Sequence, residues 1–205
     1  MWLDALVGGG GWLAAYLLRL PVLIALTTLG PLARSIIASI LAGIFEEGLR
    51  YLLMRVRMKS SYSLKRASAF GLGWGLTEAL LIFCVNVPLA VAVTGYGWLE
   101  LMPGAVERNI AIIFHVAASC IIAVSLATAR WPYMLIAVGL HSGVNMAGLA
   151  VMLTTRNPWV IEGVLALIVA VIAVPTIIKS RKVLRERQNN TKVKIFGWGS
   201  CPRTY

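Results

Sequence analysis

Aspartate is almost missing from this 205-residue chain: Asp4 is the only one, and charged residues make up just 13% of the sequence. An intramembrane mechanism built on two aspartates is therefore excluded. Cysteine is scarce as well. Cys84 and Cys120 fall inside apolar runs, Cys201 stands near the C-terminus, and no CxxC-type spacing occurs, so neither a disulfide framework nor a cysteine-rich metal site is expected. Neither histidine, His115 nor His141, belongs to an HExxH motif, which removes the helix-borne zinc site of that protease class. Met1-Trp2-Leu3-Asp4 has no basic stretch ahead of its apolar run, so the N-terminus reads as retained rather than cleaved as a signal. No internal repeat is visible either, and such repeats are common in transporters.

What the chain has in abundance is apolar sequence. It is 59% hydrophobic with a mean hydropathy of +0.82, values that place it among polytopic membrane proteins. A membrane-crossing helix needs about 20 mainly apolar residues. Six runs approach that length: 11–29, 31–56, 68–93, 106–127, 132–153 and 160–178. The expected fold is all-α, a polytopic transmembrane bundle of about six spans around a polar intramembrane cavity. Residues 1–180 form the membrane domain and 181–205 a basic cytoplasmic tail, a helical extension as far as Arg187 and loose beyond Gln188. The first run is the least regular, because Gly8 to Gly11 and Pro21 disfavour helix.

The net charge of +11 could suggest nucleic acid, but the basic residues sit at the ends of apolar runs. Arg55, Arg57, Lys59, Lys65, Arg66, Arg130 and the tail from Lys179 fall on one side, against Arg34, Arg108 and Arg156 on the other. The positive-inside rule then puts both termini in the cytoplasm.

Charges inside the runs need a separate explanation. Glu46, Glu47 and Arg50 interrupt the second run, and an ionisable group at the centre of a membrane helix costs at least about 2.5 kcal/mol. Such residues face protein or water and mark function, or they pin neighbouring helices as a buried ion pair. At about 1.5 Å per residue, Glu47 lies about 14 Å from the basic end of its run, Glu78 about 15 Å, His115 about 18 Å and His141 about 14 Å. Four helices thus carry ionisable groups at one level, as they would if they converged on a single cavity. Asn145, one turn beyond His141, can face it too. Glu78 is either a partner for Arg50 or a histidine, or a catalytic group. Trp74 reads as a core aromatic, Ser119 as a packing hydroxyl, Glu107 and Arg108 as a surface pair, and the glycines of the third run as packing devices. Ser142 adjoins His141 but points elsewhere on its helix. Carboxylates, imidazoles and an amide suit the activation of water, with Glu46 as a base tuned by Arg50. The same groups also suit proton-coupled transport. Should a metal take part, His115, His141 and Glu46 would make a three-ligand zinc site.

The ordered motifs AGIFEEGLRY (42–51), GLGWGLTEA (71–79), ERNIAIIFH (107–115) and LHSGVN (140–145) resemble those of the YhfC-like glutamic-type intramembrane proteases. These are relatives of PrsW and of the CPBP group, the type II CAAX prenyl and bacteriocin-processing proteases. The resemblance covers about half the chain, from Ala42 to Asn145, and its EExxR spacing is nearer to the PrsW branch. It implies an intramembrane endopeptidase acting on a membrane-embedded peptide or protein. Glu46 or Glu47 would supply the water-activating carboxylate, with the first preferred, and Arg50 would position it. His115 would help hold the water, and His141 with Asn145 would stabilise the oxyanion. Glu78 matches the glutamate of the second motif. No cofactor is expected, zinc being the alternative, and no nucleic-acid partner is expected. The rival function is a transporter or a peptide-binding scaffold using the same cavity.

Overall fold

The computed structural model describes residues 1–59, 61–95 and 97–196, so Cys201 and the last residues of the tail lie outside it. Six helices follow one another: α1 (Trp2–Ala25), α2 (Pro31–Arg57), α3 (Leu64–Thr94), α4 (Trp98–Thr128), α5 (Pro132–Thr154) and α6 (Pro158–Phe196). A short 3-10 turn, Leu26–Thr28, closes α1. Proline opens α2, α5 and α6, at a position where its missing N–H is no loss. The Ser63 hydroxyl caps α3 by accepting from the Arg66 amide at 3.4 Å. No strand occurs among the described residues.

Five of these helices are long and apolar enough to cross a membrane, namely α1, α3, α4, α5 and α6. The exception is α2, which carries the Glu-Glu-Arg group. Its apolar Ile40, Ile44 and Leu52 face outward, while Glu46, Glu47 and Arg50 are buried. That inside-out distribution lets a charged helix stand within a membrane bundle. The chain is thus an all-α, multi-pass membrane bundle.

Two boundaries differ from the sequence expectation. Helix α1 runs unbroken through Gly8 to Gly11, because Gly8, Gly9 and Gly11 are where it meets α3. A β-carbon on Gly8 would collide with the Phe70 carbonyl, and one on Gly73 with the Ala5 carbonyl. Close backbone approach, not local propensity, sets this segment. Helix α6 extends through Arg187 as expected, and it continues to Phe196 instead of loosening beyond Gln188.

Helix α4 packs on α2, α3, α5 and α6, and α1 on α2 and α3. Around α4 lie two apolar clusters, one including Trp12, Phe70, Trp74 and Ile122, the other Phe114, Ala117 and Val169. At one end of the bundle the buried Asp4 takes two hydrogen bonds from Arg66, at 2.9 and 3.1 Å, and pairs with Arg57 at 3.4 Å. Gln188 donates to the Tyr62 carbonyl at 3.1 Å. The start of α1, the α2–α3 connection and the late part of α6 therefore share that end.

Candidate active site

Two close helix crossings bring the polar residues together. On α2, a β-carbon at Gly43 would lie 2.6 Å from the Val138 carbonyl of α5. Between α3 and α4, one at Gly71 would lie 2.6 Å from the His115 carbonyl and one at Gly75 2.8 Å from the Ile112 Cα. Only glycine allows this spacing, and it determines which side chains can touch.

From the first crossing comes the pair Glu47 and His141, with Nδ1 of the imidazole 2.8 Å from Glu47 Oε1. The same carboxylate takes an ion pair from Arg50 Nη1 at 3.0 Å, both side chains being 0% exposed. The second crossing sets His115 Nε2 2.5 Å from Glu78 Oε2. Glu78 Oε1 accepts from Arg108 Nη1 at 3.0 Å, and Arg108 also pairs with Glu107. Arg50 links the two crossings: its Nη2 donates to His115 Nδ1 at 2.8 Å, while its Cζ lies 4.5 Å from the Trp74 ring centroid.

Glu46 occupies a different position. It faces a cavity of about 520 Å³, and its Oε2 accepts from Trp74 Nε1 at 3.0 Å. Arg19 Nη1 stands 3.4 Å from Oε1, and His141 Nε2 stands 3.9 Å from Oε2. Glu78, His115, His141 and Asn145 also line this space, whereas Glu47 and Arg50 do not. The two adjacent glutamates are thereby distinguished, one on the cavity wall and one behind it holding an imidazole. Asn145 is exposed, so its amide is open to an incoming group. The His115 and His141 rings lie 5.4 Å apart, and Phe114 meets both edge-on.

The seven residues singled out in the sequence therefore gather at one place, but Arg50 pairs with Glu47 rather than tuning Glu46, and the cation beside Glu46 is Arg19. Others were misjudged or missed. Arg108 pairs with Glu107 as expected, but not as a surface pair: it also binds Glu78, and both residues line the cavity. Trp74 is buried as expected, yet it also hydrogen-bonds Glu46. Arg19 and Glu162 went unassigned, although a charge within an apolar run was the signal that had exposed α2. Ser142 is engaged away from the cavity, its hydroxyl donating to the Ile40 carbonyl at 3.4 Å.

Glu46, His115 and His141 each offer a ligand atom within 4.8 Å of the others, and two histidines with one glutamate are a donor set of zinc hydrolases. His141 suits that use, since a carboxylate behind Nδ1 orients Nε2 as in many metal sites. His115 does not. A guanidinium only donates, so the Arg50 contact makes Nδ1 the acceptor and leaves the proton of the neutral ring on Nε2, facing Glu78. A metal at Nε2 would need that proton removed and Arg50 turned away. The hydrogen-bonded arrangement observed thus supplies two of the three ligands.

A family model described as YhfC intramembrane metalloprotease matches residues 11–97, a window that holds Glu46, Glu47, Arg50 and Glu78 and ends before both histidines. That description names a metal where the sequence led to a glutamate without a cofactor. No solved structure matches. A Bacillus subtilis (strain 168) protein named "Uncharacterized membrane protein YhfC" is 25% identical over 184 residues, covering 76% of this chain and 71% of that protein. The chain is thus similar to a YhfC membrane protein along most of its length and to an intramembrane protease family through α1, α2 and α3.

Proposed function

We propose that this chain is an intramembrane endopeptidase that hydrolyses a membrane-embedded peptide or protein by glutamate-activated water. The observation that carries the proposal is the position of Glu46, on the cavity wall 3.9 Å from His141 Nε2, with Glu47 and Arg50 fixed behind that imidazole. Water entering between Glu46 and His141 gives its proton to the Glu46 carboxylate as its oxygen attacks the substrate carbonyl carbon. The resulting oxyanion is met by the Asn145 amide and, when His141 Nε2 is protonated, by that N–H. Glu46 then delivers the proton to the amide nitrogen as the C–N bond breaks, leaving a carboxylic acid and an amine. His115 has both ring nitrogens engaged, so it shapes the wall and ties Glu78 to Arg50.

The membrane orientation belongs to the same proposal. The end that gathers Asp4, Arg57, Arg66 and Gln188 is the basic one, and it faces the cytoplasm by the positive-inside rule. A reporter fused to the tail that proved accessible only from outside intact cells would reverse it.

A quenched apolar peptide library, incubated with the protein in liposomes, tests the chemistry. Glu46→Gln and His141→Ala are expected to abolish cleavage, and chelator to leave it unchanged. Cleavage retained by a Glu46→Ala, Glu47→Ala double variant would sink the glutamate mechanism. Loss on chelation with recovery on added zinc would establish the metal in its place.

A further inference from the structure

Four carboxylates line the cavity, from Glu46, Glu78, Glu107 and Glu162, against two guanidiniums, from Arg19 and Arg108. Both arginines are committed: Arg19 stands against Glu46, and Arg108 is divided between Glu78 and Glu107. Glu162 is left over. It is only 8% exposed, and its buried Oε2 has no hydrogen-bond partner. A carboxyl group removed from water must either hold its proton or be compensated by a cation, and the described residues offer Glu162 no ion pair.

Its distance from the proposed chemistry can be estimated from helix geometry. A β-carbon on Gly148 of α5 would lie 3.6 Å from the Leu165 side chain of α6, so those residues stand at one level. The helices run in opposite directions. Glu162 is three residues from Leu165 and His141 seven from Gly148, which separates them by about 15 Å along the bundle. An extended peptide covers about 3.3 Å per residue, and two long side chains shorten the interval.

We propose that this arm of the cavity is a cation subsite, in which Glu162, with Glu107 beside it, receives the lysine or arginine side chain of a substrate about three to five residues from the bond that is cut. The inference rests on the protease reading for the register of that residue. It assigns a substrate class, an apolar segment with one basic residue near the membrane boundary opposite the chain's termini. A cation entering there would neutralise the unpaired carboxylate and would be guided to it by the cavity's excess of negative groups.

Peptide binding, measured apart from cleavage, tests the subsite. The probe is a fluorescent apolar peptide, acetylated and amidated, with an uncleavable hydroxyethylene unit at its centre and one lysine moved through successive positions. Anisotropy with the full chain in detergent is compared with that of norleucine at the same position. Lysine at one position three to five residues from the centre is expected to bind about tenfold more tightly than norleucine, as one charged hydrogen bond allows. Glu162→Gln should bring the ratio below about twofold with norleucine binding unchanged, while Glu162→Asp keeps the preference. A lysine preference at no position, a ratio unaffected by Glu162→Gln, or equal weakening of both peptides would overturn the proposal. If the cleavable parent peptide resists hydrolysis, the protease reading fails alone, because the lysine preference is read from binding.

Discussion

Arg50 Nη2 lies 2.8 Å from His115 Nδ1, and this one contact assigns the proton of a ring on the opposite helix. The guanidinium cannot accept, so a neutral His115 carries its proton on Nε2, where Glu78 receives it at 2.5 Å. The chain Glu47, Arg50, His115, Glu78, Arg108, Glu107 then alternates acceptor and donor without a break. Removing one member of such a network leaves its buried neighbours unpaired.

Zinc is the first consequence. With His115 held in this tautomer, the protein purified without added metal is expected to contain well under one zinc per chain by elemental analysis. Its peptide cleavage should change by less than about twofold after chelation, since a lost catalytic metal costs orders of magnitude. Stoichiometric zinc that leaves together with activity would mean that Arg50 releases His115 in the working enzyme.

Removing Arg50 tests the network as a whole. The side chain is 0% exposed and pairs with an equally buried Glu47, so Arg50→Ala takes the cation from an interior carboxylate and leaves it only the His141 contact. Breaking a buried pair in this way costs about 3 to 5 kcal/mol, and thermal unfolding in detergent should fall accordingly. Arg50→Lys rescues little, because one ammonium cannot reproduce the fork that reaches both Glu47 and His115. Adding Glu47→Gln to Arg50→Ala should recover part of the loss. A double-mutant cycle with no coupling would disprove the link.

Trp74→Phe separates positioning from folding. The indole N–H donates to Glu46 Oε2 at 3.0 Å, whereas the ring stacks on Phe70 with centroids 6.0 Å apart. Phenylalanine keeps the stack and loses the donor. Losing a hydrogen bond to a charged group costs about 1.5 to 3 kcal/mol, so kcat should drop at least about tenfold with KM little changed. A rise in KM alone would place the bond in substrate binding instead.

These contacts also explain what could be read from sequence. The helices were legible because apolar length is a local property, and the convergence of Glu47, Glu78, His115 and His141 followed from helical rise. Rise gives a depth along an axis and says nothing about the direction a side chain takes around it. The separation of Glu46 from Glu47, one facing the cavity and the other His141, depends on that direction. So do the contacts of Arg19 with Glu46 and Arg108 with Glu78, which join residues 27 and 30 positions apart through helix crossings. The run Gly8 to Gly11 was misjudged because its helicity is imposed by α3. Glu162 stands near the start of an apolar helix, where sequence alone does not separate a charge facing protein from one facing the membrane boundary.

Those crossings make the last prediction. A β-carbon on Gly43 would press on the Ser142 hydroxyl and on the Val138 carbonyl, whereas one on Gly48 would meet nothing within 4 Å. Both residues lie within α2, so both gain about 0.5 to 1 kcal/mol of helix stability on replacement by alanine. At Gly48 that gain stands alone, and Gly48→Ala should unfold at an equal or higher temperature with cleavage intact. At Gly43 the added methyl must move α2 away from α5, with an overpacking cost of about 1 to 3 kcal/mol. The displacement falls on the 2.8 Å bond between Glu47 and His141. Because catalytic geometry tolerates little movement, Gly43→Ala should lose about a hundredfold in cleavage, more than its stability loss alone would produce. Equal behaviour of the two variants in unfolding and cleavage would mean that the α2–α5 spacing does not control the site.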